Sequence, residues 1–178
     1  KLPGPGILTR CVNAIPAEDG YKPVGTFLPI SDALPAAFKG GASVKGNDGV
    51  AYLLAGTETT LSKLAAGSWT NLLSGLTVSG RWKFTAFGDF AVAVNGAITY
   101  EVDLVASTAA AISGAPSFID VCVVGDHVVG AQPDGNILRV RWSAFNDHTG
   151  WTVGTDQSGE WTALEGGEVM GVAGGEYG

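Results

Sequence analysis

The sequence predicts an all-β chain, a β-propeller-like array of antiparallel meander blades, and three observations carry that prediction. First, a layout of strand, tight turn, strand, turn, strand recurs: first turns fall near residues 48, 88 and 125, second turns near 56, 96 and 135. The spacing is roughly 40 residues, the length of a propeller blade. Second, no stretch between the copies carries a helical period. Third, the composition suits short strands on tight turns: 46% of residues are hydrophobic, only 15% are charged, and Gly is 27 of 178. Glycine supplies turn conformations and β-branched side chains suit pleated surfaces.

The clearest copy is Lys83 to Asp103. Phe84 to Phe87 is a short apolar strand, Gly88-Asp89 a two-residue reversal and Phe90 to Val94 a second strand. Asn95-Gly96 is a pair that tolerates positive φ, as a type I′ hairpin requires. Ile98, Tyr100 and Val102 then alternate with Thr99 and Glu101, so a third strand follows. Downstream, Val121 to Val124, Gly125-Asp126, Val128 to Ala131, a turn at Gln132 to Gly135, and Ile137 to Trp142 repeat the layout. Upstream, Ser43 to Lys45, Asn47-Asp48-Gly49, Val50 to Leu54, a turn near Gly56 and Thr59 to Leu64 give a weaker copy.

The expected organisation is a Pro/Gly-rich N-terminal arm over residues 1–41, in which six prolines break regular elements, followed by blades at about 42–66, 67–105 and 117–143. Within the arm, Ile7 to Val12 is a candidate strand and Asn13 to Tyr21 an extended segment ending in a turn. Gly67 to Gly80 and Ala106 to Ala115 are expected connectors, and Ser143 to Glu168 a long polar insertion. Residues 168–173 read as one more strand, so a further blade is expected to start at 168–178. A meander cut after its first strand leaves an open edge, which natural domains avoid. The chain is therefore expected to be a fragment of a larger propeller, and Lys1 in place of Met points the same way.

Charge narrows the function. Residues 1–111 hold eight basic and eight acidic groups, whereas residues 112–178 hold Arg139 and Arg141 against nine acids. The net charge of −7 therefore arises in the last third. This is not the basic footprint of a sequence-specific nucleic-acid binder. No run of eighteen apolar residues exists to span a membrane as a helix. Cys11 and Cys122 lack metal-type spacing; separate buried thiols or a disulfide both remain open.

Candidate site residues are few. Large aromatics at fixed blade positions fill the wedge between sheets, and Trp82 and Trp142 are assigned that role ahead of Trp151 and Trp161. Arg139 and Arg141 alternate with Leu138, Val140 and Trp142, and are expected to pair with acidic side chains or to face a neighbour. Asn146-Asp147-His148, Asp126-His127 and Glu165 to Glu168 contain acid, base or ligand types. No histidine pair stands at ligand spacing, and turn carboxylates bond local amides. No catalytic, cofactor or metal set is expected; calcium in the acidic loop is the only metal worth testing. No nucleophile elbow, phosphate loop or dinucleotide fingerprint is present. Thr155 to Thr162 is similar to the repeated turn of sialidases, but Gln157 takes the Asp place and the Trp-Thr order is reversed.

One series extends through the last third: Val124 to Gly130, then Arg141-Trp142-Ser143-Ala144-Phe145-Asn146-Asp147, then Gly150-Trp151-Thr152, then Gly166 to Val172 with Gly174-Gly175-Glu176. It resembles tail proteins of short-tailed bacteriophages, most closely the packaged-DNA stabilisation proteins, also called tail hubs or nozzles. The resemblance covers roughly Phe84 to Gly178, and Asn13 to Leu64 loosely. It implies a non-enzymatic virion protein, a ring of identical subunits below the portal and adaptor. Tail-fibre or tailspike proteins would be its neighbours, and DNA would pass without sequence-specific binding. The ring would extend the channel and retain the packaged genome. The alternative is a carbohydrate-binding β-propeller that recognises a receptor or surface. A hydrolase would instead show turnover that disappears when Asp147 or His148 is changed, and none is expected.

Overall fold

The computed structural model describes residues 14–18, 20–25 and 28–174. The protein is all-β and divides into two units, residues 1–30 and 31–178. In the first unit, β1 (Ala14–Ala17) and β2 (Gly20–Pro23) pair as an antiparallel hairpin. The expected strand Ile7 to Val12 lies outside the described residues.

The second unit contains three four-stranded antiparallel sheets, each built from strands consecutive in sequence. Sheet 1 comprises β3 (Phe38–Lys45), β4 (Ala51–Thr57), β5 (Leu61–Ala65) and β6 (Ser68–Leu73). Sheet 2 comprises β7 (Lys83–Phe87), β8 (Phe90–Val94), β9 (Thr99–Asp103) and β10 (Thr108–Ala111). Sheet 3 comprises β11 (Asp120–Val124), β12 (His127–Ala131), β13 (Arg139–Trp142) and β14 (Gly159–Thr162). A 3-10 turn at Pro133–Gly135 is the one helical element among the described residues. Within each sheet the order of strands follows the chain, and no sheet closes on itself.

Turn chemistry explains the first hairpins. Phe87 pairs with Phe90 across Gly88-Asp89, and Val124 with His127 across Gly125-Asp126. Gly88 and Gly125 have φ of 62° and 55°. A positive φ at the first central position is what a type II′ turn demands, and its twist matches that of the flanking strands. The Asn95-Gly96 reversal differs from the type I′ turn its sequence predicts. Only Gly96 has positive φ, and the Asn95 carboxamide oxygen accepts the N–H groups of Ala97 and Ile98, both at 3.0 Å. The side chain closes a longer loop by imitating backbone.

Each sheet has a fourth strand, β6, β10 or β14, in a stretch that the sequence marks as connector or insertion. Residues 168–173, expected as a strand, form no ladder. They lie against sheet 3 by other means: Val169 N–H donates to the Ile137 carbonyl at 2.8 Å, and Gln132 Nε2 donates to the Val169 carbonyl at 2.8 Å.

The core forms two seams. One joins Val44, Leu54 and Leu61 of sheet 1 to Ala91, Ala93, Tyr100 and Val102 of sheet 2. The other joins Val92 and Val94 of sheet 2 to Val121 and Val128 of sheet 3, with Phe118 and Trp151 between them. Strand β8 thus sends alternate side chains into opposite seams, and Ala91 to Val94 are all fully buried. This two-sided burial explains why Phe-Ala-Val-Ala-Val is apolar throughout rather than alternating. The first strands stand in a row, β3 beside β7 and β7 beside β11.

Candidate functional site

Trp82 occupies the seam between sheets 1 and 2. It is 2% exposed, and its Nε1 donates to the Thr57 carbonyl at 2.9 Å. Its ring lies on Gly56 of β4, where an added Cβ would come within 2.2 Å of Cδ1. Phe84 stacks on it with centroids 6.1 Å apart, and Tyr100 approaches at 5.7 Å. The buried ring thus lies between two neighbouring sheets.

Trp142 lies in neither of the two described seams. Cross-strand partners lie on one face of a sheet, and the register pairs Gly130 with Arg141 and Val129 with Trp142. Gly130 carries the Phe118 ring of the second seam. The arginine face of β13 therefore looks toward sheet 2, and Trp142 lies on the far face. There its ring covers Gly159 of β14, and its Nε1 donates to the Gln157 carbonyl at 2.9 Å. The tryptophan inside the second seam is Trp151, 3% exposed, 5.0 Å from the Phe118 ring and bonded through Nε1 to the His148 carbonyl at 2.9 Å. Trp161 is 59% exposed.

Arg139 bridges Glu160 at 3.2 Å, the acidic partner its alternation predicts. Arg141 instead donates through Nη2 to the Trp151 carbonyl, fixing the chain where it enters the seam. Neither Nε has a hydrogen-bond partner among the described residues.

The first turns of the sheets gather at one end, together with the loop that follows β13. Asn47 N–H donates to Asp89 Oδ1 at 3.0 Å, and Asn146 N–H to the Asp126 carbonyl at 2.8 Å. Asp147 caps this loop: its Oδ1 accepts both the Thr149 hydroxyl at 2.7 Å and the Thr149 N–H at 2.8 Å. Those bonds, the hydroxyl first, hold the Asp147 carboxyl below the usual carboxylate range. Next to it, His148 is 8% exposed and its Nε2 lies 3.0 Å from Glu101 Oε2 on β9. The imidazole packs on Phe90 and Phe87 with centroids 4.7 and 5.6 Å away. A cleft of about 370 Å³ opens here, walled by Asn47, Asp89, Asn146 and Asp147 with both phenylalanines.

No family model, curated protein or solved structure matches the chain. Function is therefore argued from geometry. Ser143, whose carbonyl lies against His127, is not arranged as a nucleophile. It is fully buried, its Oγ accepts Val128 N–H at 3.0 Å, and His127 Nδ1 contacts its carbonyl at 2.8 Å, not its hydroxyl. Among the described residues, no three His, Cys, Asp or Glu side chains gather as a metal group. Cys122 is buried, which pushes its thiol pKa up; Cys11 lies outside the described residues.

Sequence reasoning missed the polar links that tie the seams together. Lys63, only 8% exposed, crosses from sheet 1 to donate to the Leu104 carbonyl and to Ser107 Oγ, the latter at 2.8 Å. Its Nζ also lies 4.3 Å from the Tyr52 ring centroid. The His148–Glu101 contact does the same between sheets 2 and 3. A lysine within an alternating strand and a histidine beside a turn carry no signal of a partner some 40 residues away.

The Asp147 cap yields a pH prediction. A depressed carboxylate adds stability that is present above its unfolded pKa, about 3.9, and is lost as pH falls through the lower folded value. Asp147→Ala is expected to lower the melting temperature at pH 7, and the gap to the native chain should narrow as the pH drops below about 4. Thermal melts across that range test it; a gap that stays constant to the lowest pH refutes the ionic cap.

Proposed function

We propose that this chain is a structural component of a bacteriophage tail, a hub or nozzle that extends the DNA channel below the portal and adaptor. The observation that carries the reading is the row of first strands. Three consecutive four-stranded meanders set β3, β7 and β11 side by side and bury both faces of the middle sheet. That is the relation between neighbouring blades of a propeller, whose first strands line a central axis. Residues 168–174 continue the row, since Val172 N–H reaches Asp120 Oδ2 at 3.4 Å and Gly174 packs against the Val123 backbone. On this reading residues 168–174 take the place of the first strand of a further blade. The Arg141 to Asp147 and Gly166 to Glu176 resemblance supplies the tail assignment.

The working form is a ring of identical subunits within the virion, touching tail-fibre or tailspike proteins and passing DNA without reading its sequence. Stacked sheets with short turns give a rigid wall, and the net negative charge keeps the chain's overall attraction for the passing polyanion low. Negative-stain electron microscopy of the purified chain is expected to reveal closed rings. A monomer that binds sugars saturably would overturn the tail reading.

The cleft beside Asp147 favours a second reading, a carbohydrate-binding module. Carboxylates, carboxamides and aromatic rings on one concave wall suit hydroxyl groups and sugar faces. Binding on a glycan array that disappears in Asp89→Ala would favour it.

A further inference from the structure

The cations of this acidic chain are unevenly placed. Acidic residues outnumber basic ones 17 to 10, yet a cleft of about 580 Å³ where β3 and β7 begin is lined by Lys39, Arg81 and Lys83 and by no carboxylate. Backbone packing builds this concentration. Trp82 N–H donates to the Lys39 carbonyl at 3.1 Å, so the two strand starts lie side by side. Gly40 permits the approach, since a Cβ there would sit 2.3 Å from the Trp82 carbonyl oxygen. With the Trp82 ring buried in the seam, its neighbours Arg81 and Lys83 are exposed.

The three charges are only partly neutralised. Lys39 meets Glu58 at 3.1 Å and Lys83 meets Asp120 at 3.6 Å, both acids lying outside the cleft wall. Arg81 has no ion-pair partner among the described residues. A concave site lined by one sign of charge concentrates counter-ions, and a guanidinium presents paired donors that match an oxyanion. The Ser79 hydroxyl in the same wall adds a neutral donor.

We propose that this cleft binds phosphate groups, with Arg81 as the bidentate anchor and Lys39 and Lys83 as flanking charges. The phosphate comes either from a nucleic-acid backbone or from a small phosphate-bearing molecule. The site needs no ring, so its failure and that of the tail reading are separate results.

The test is titration of the full chain with inorganic pyrophosphate by calorimetry and with a fluorescein-labelled DNA duplex by anisotropy. Saturable binding of at least one probe is expected. Arg81→Gln should weaken it about tenfold, the order of a lost charge-assisted bidentate contact. Arg81→Lys should fall between, because charge remains and the fork is lost. Lys45→Gln, an exposed cation at the far end of β3, serves as the control and should change nothing. If the duplex binds through all three cations, raising salt from 50 to 200 mM should weaken it about 40-fold. Pyrophosphate binding without duplex binding identifies a small ligand; duplex binding identifies the nucleic-acid backbone. Because Arg81 is exposed, its variants are expected to fold, and circular dichroism checks this. Absence of saturable binding by both probes, or equal weakening by Lys45→Gln and Arg81→Gln, overturns the proposal.

Discussion

Trp82→Ala is expected to destabilise the fold by about 3–5 kcal/mol, the range for deleting a fully packed large aromatic. The indole contributes more than area. It lies on Gly56, stacks with Phe84, meets Tyr100 at a tilt, and donates to the Thr57 carbonyl. Truncation opens a cavity between sheets 1 and 2 and leaves that carbonyl without its donor. The reciprocal change is informative: Gly56→Ala drives a Cβ to 2.2 Å from a ring that its own hydrogen bond fixes. Overpacking of that kind costs about 1–3 kcal/mol. In the Trp82→Ala background the same methyl enters space already vacated, so Gly56→Ala should cost little or even restore stability. Urea unfolding of the two single variants and the double variant measures this coupling. Additive costs would show that Gly56 and Trp82 do not share the seam.

Much of this arrangement was legible because core and turns leave separate marks. The Gly88-Asp89 and Gly125-Asp126 reversals are readable because the two-residue loops require a backbone that glycine adopts freely. The fourth strands were not legible for the opposite reason. They are outer strands, and β10, Thr-Ala-Ala-Ala, is largely exposed. Alanine has no strong preference for a pleated surface, so the strand is defined by its ladder to β9 and not by its composition. The face that Trp142 takes was not legible for a further reason. Alternation says that Arg141 and Trp142 lie on opposite faces but not which face meets a neighbour, and Phe118 on Gly130 decides that. Phe118 itself fell at the start of the expected blade over 117–143 with no role assigned, because nothing local marks a residue that is fully buried. Asp147 was singled out for its chemistry, but the cap it forms depends on the local bonds to Thr149.

Phe118→Ala is the counterpart of Trp82→Ala in the second seam and is expected to cost about 3–5 kcal/mol. The ring is fully buried against Trp151, and a Cβ on Gly130 would lie 2.3 Å from it. What distinguishes the two variants is where the fold loosens. Sheets stacked in sequence have nearest-neighbour energetics, in which each seam contributes separately and only the middle sheet belongs to both. In Phe118→Ala, hydrogen exchange should accelerate first in β11 to β13, while Leu54, Leu61 and their neighbours in sheet 1 stay protected. In Trp82→Ala the order should reverse, with sheet 3 the slower to open. The double variant should then lose about the sum of the two costs, because the rings lie in different clusters with no shared partner. Uniform acceleration across all three sheets in either single variant would mean that the unit opens only as a whole, and the seam-by-seam account would fail. A local response confined to one seam would instead explain how successive sheets of such similar layout tolerate different fillers. A tryptophan bonded to a carbonyl closes one wedge, and a phenylalanine against a second tryptophan closes the next.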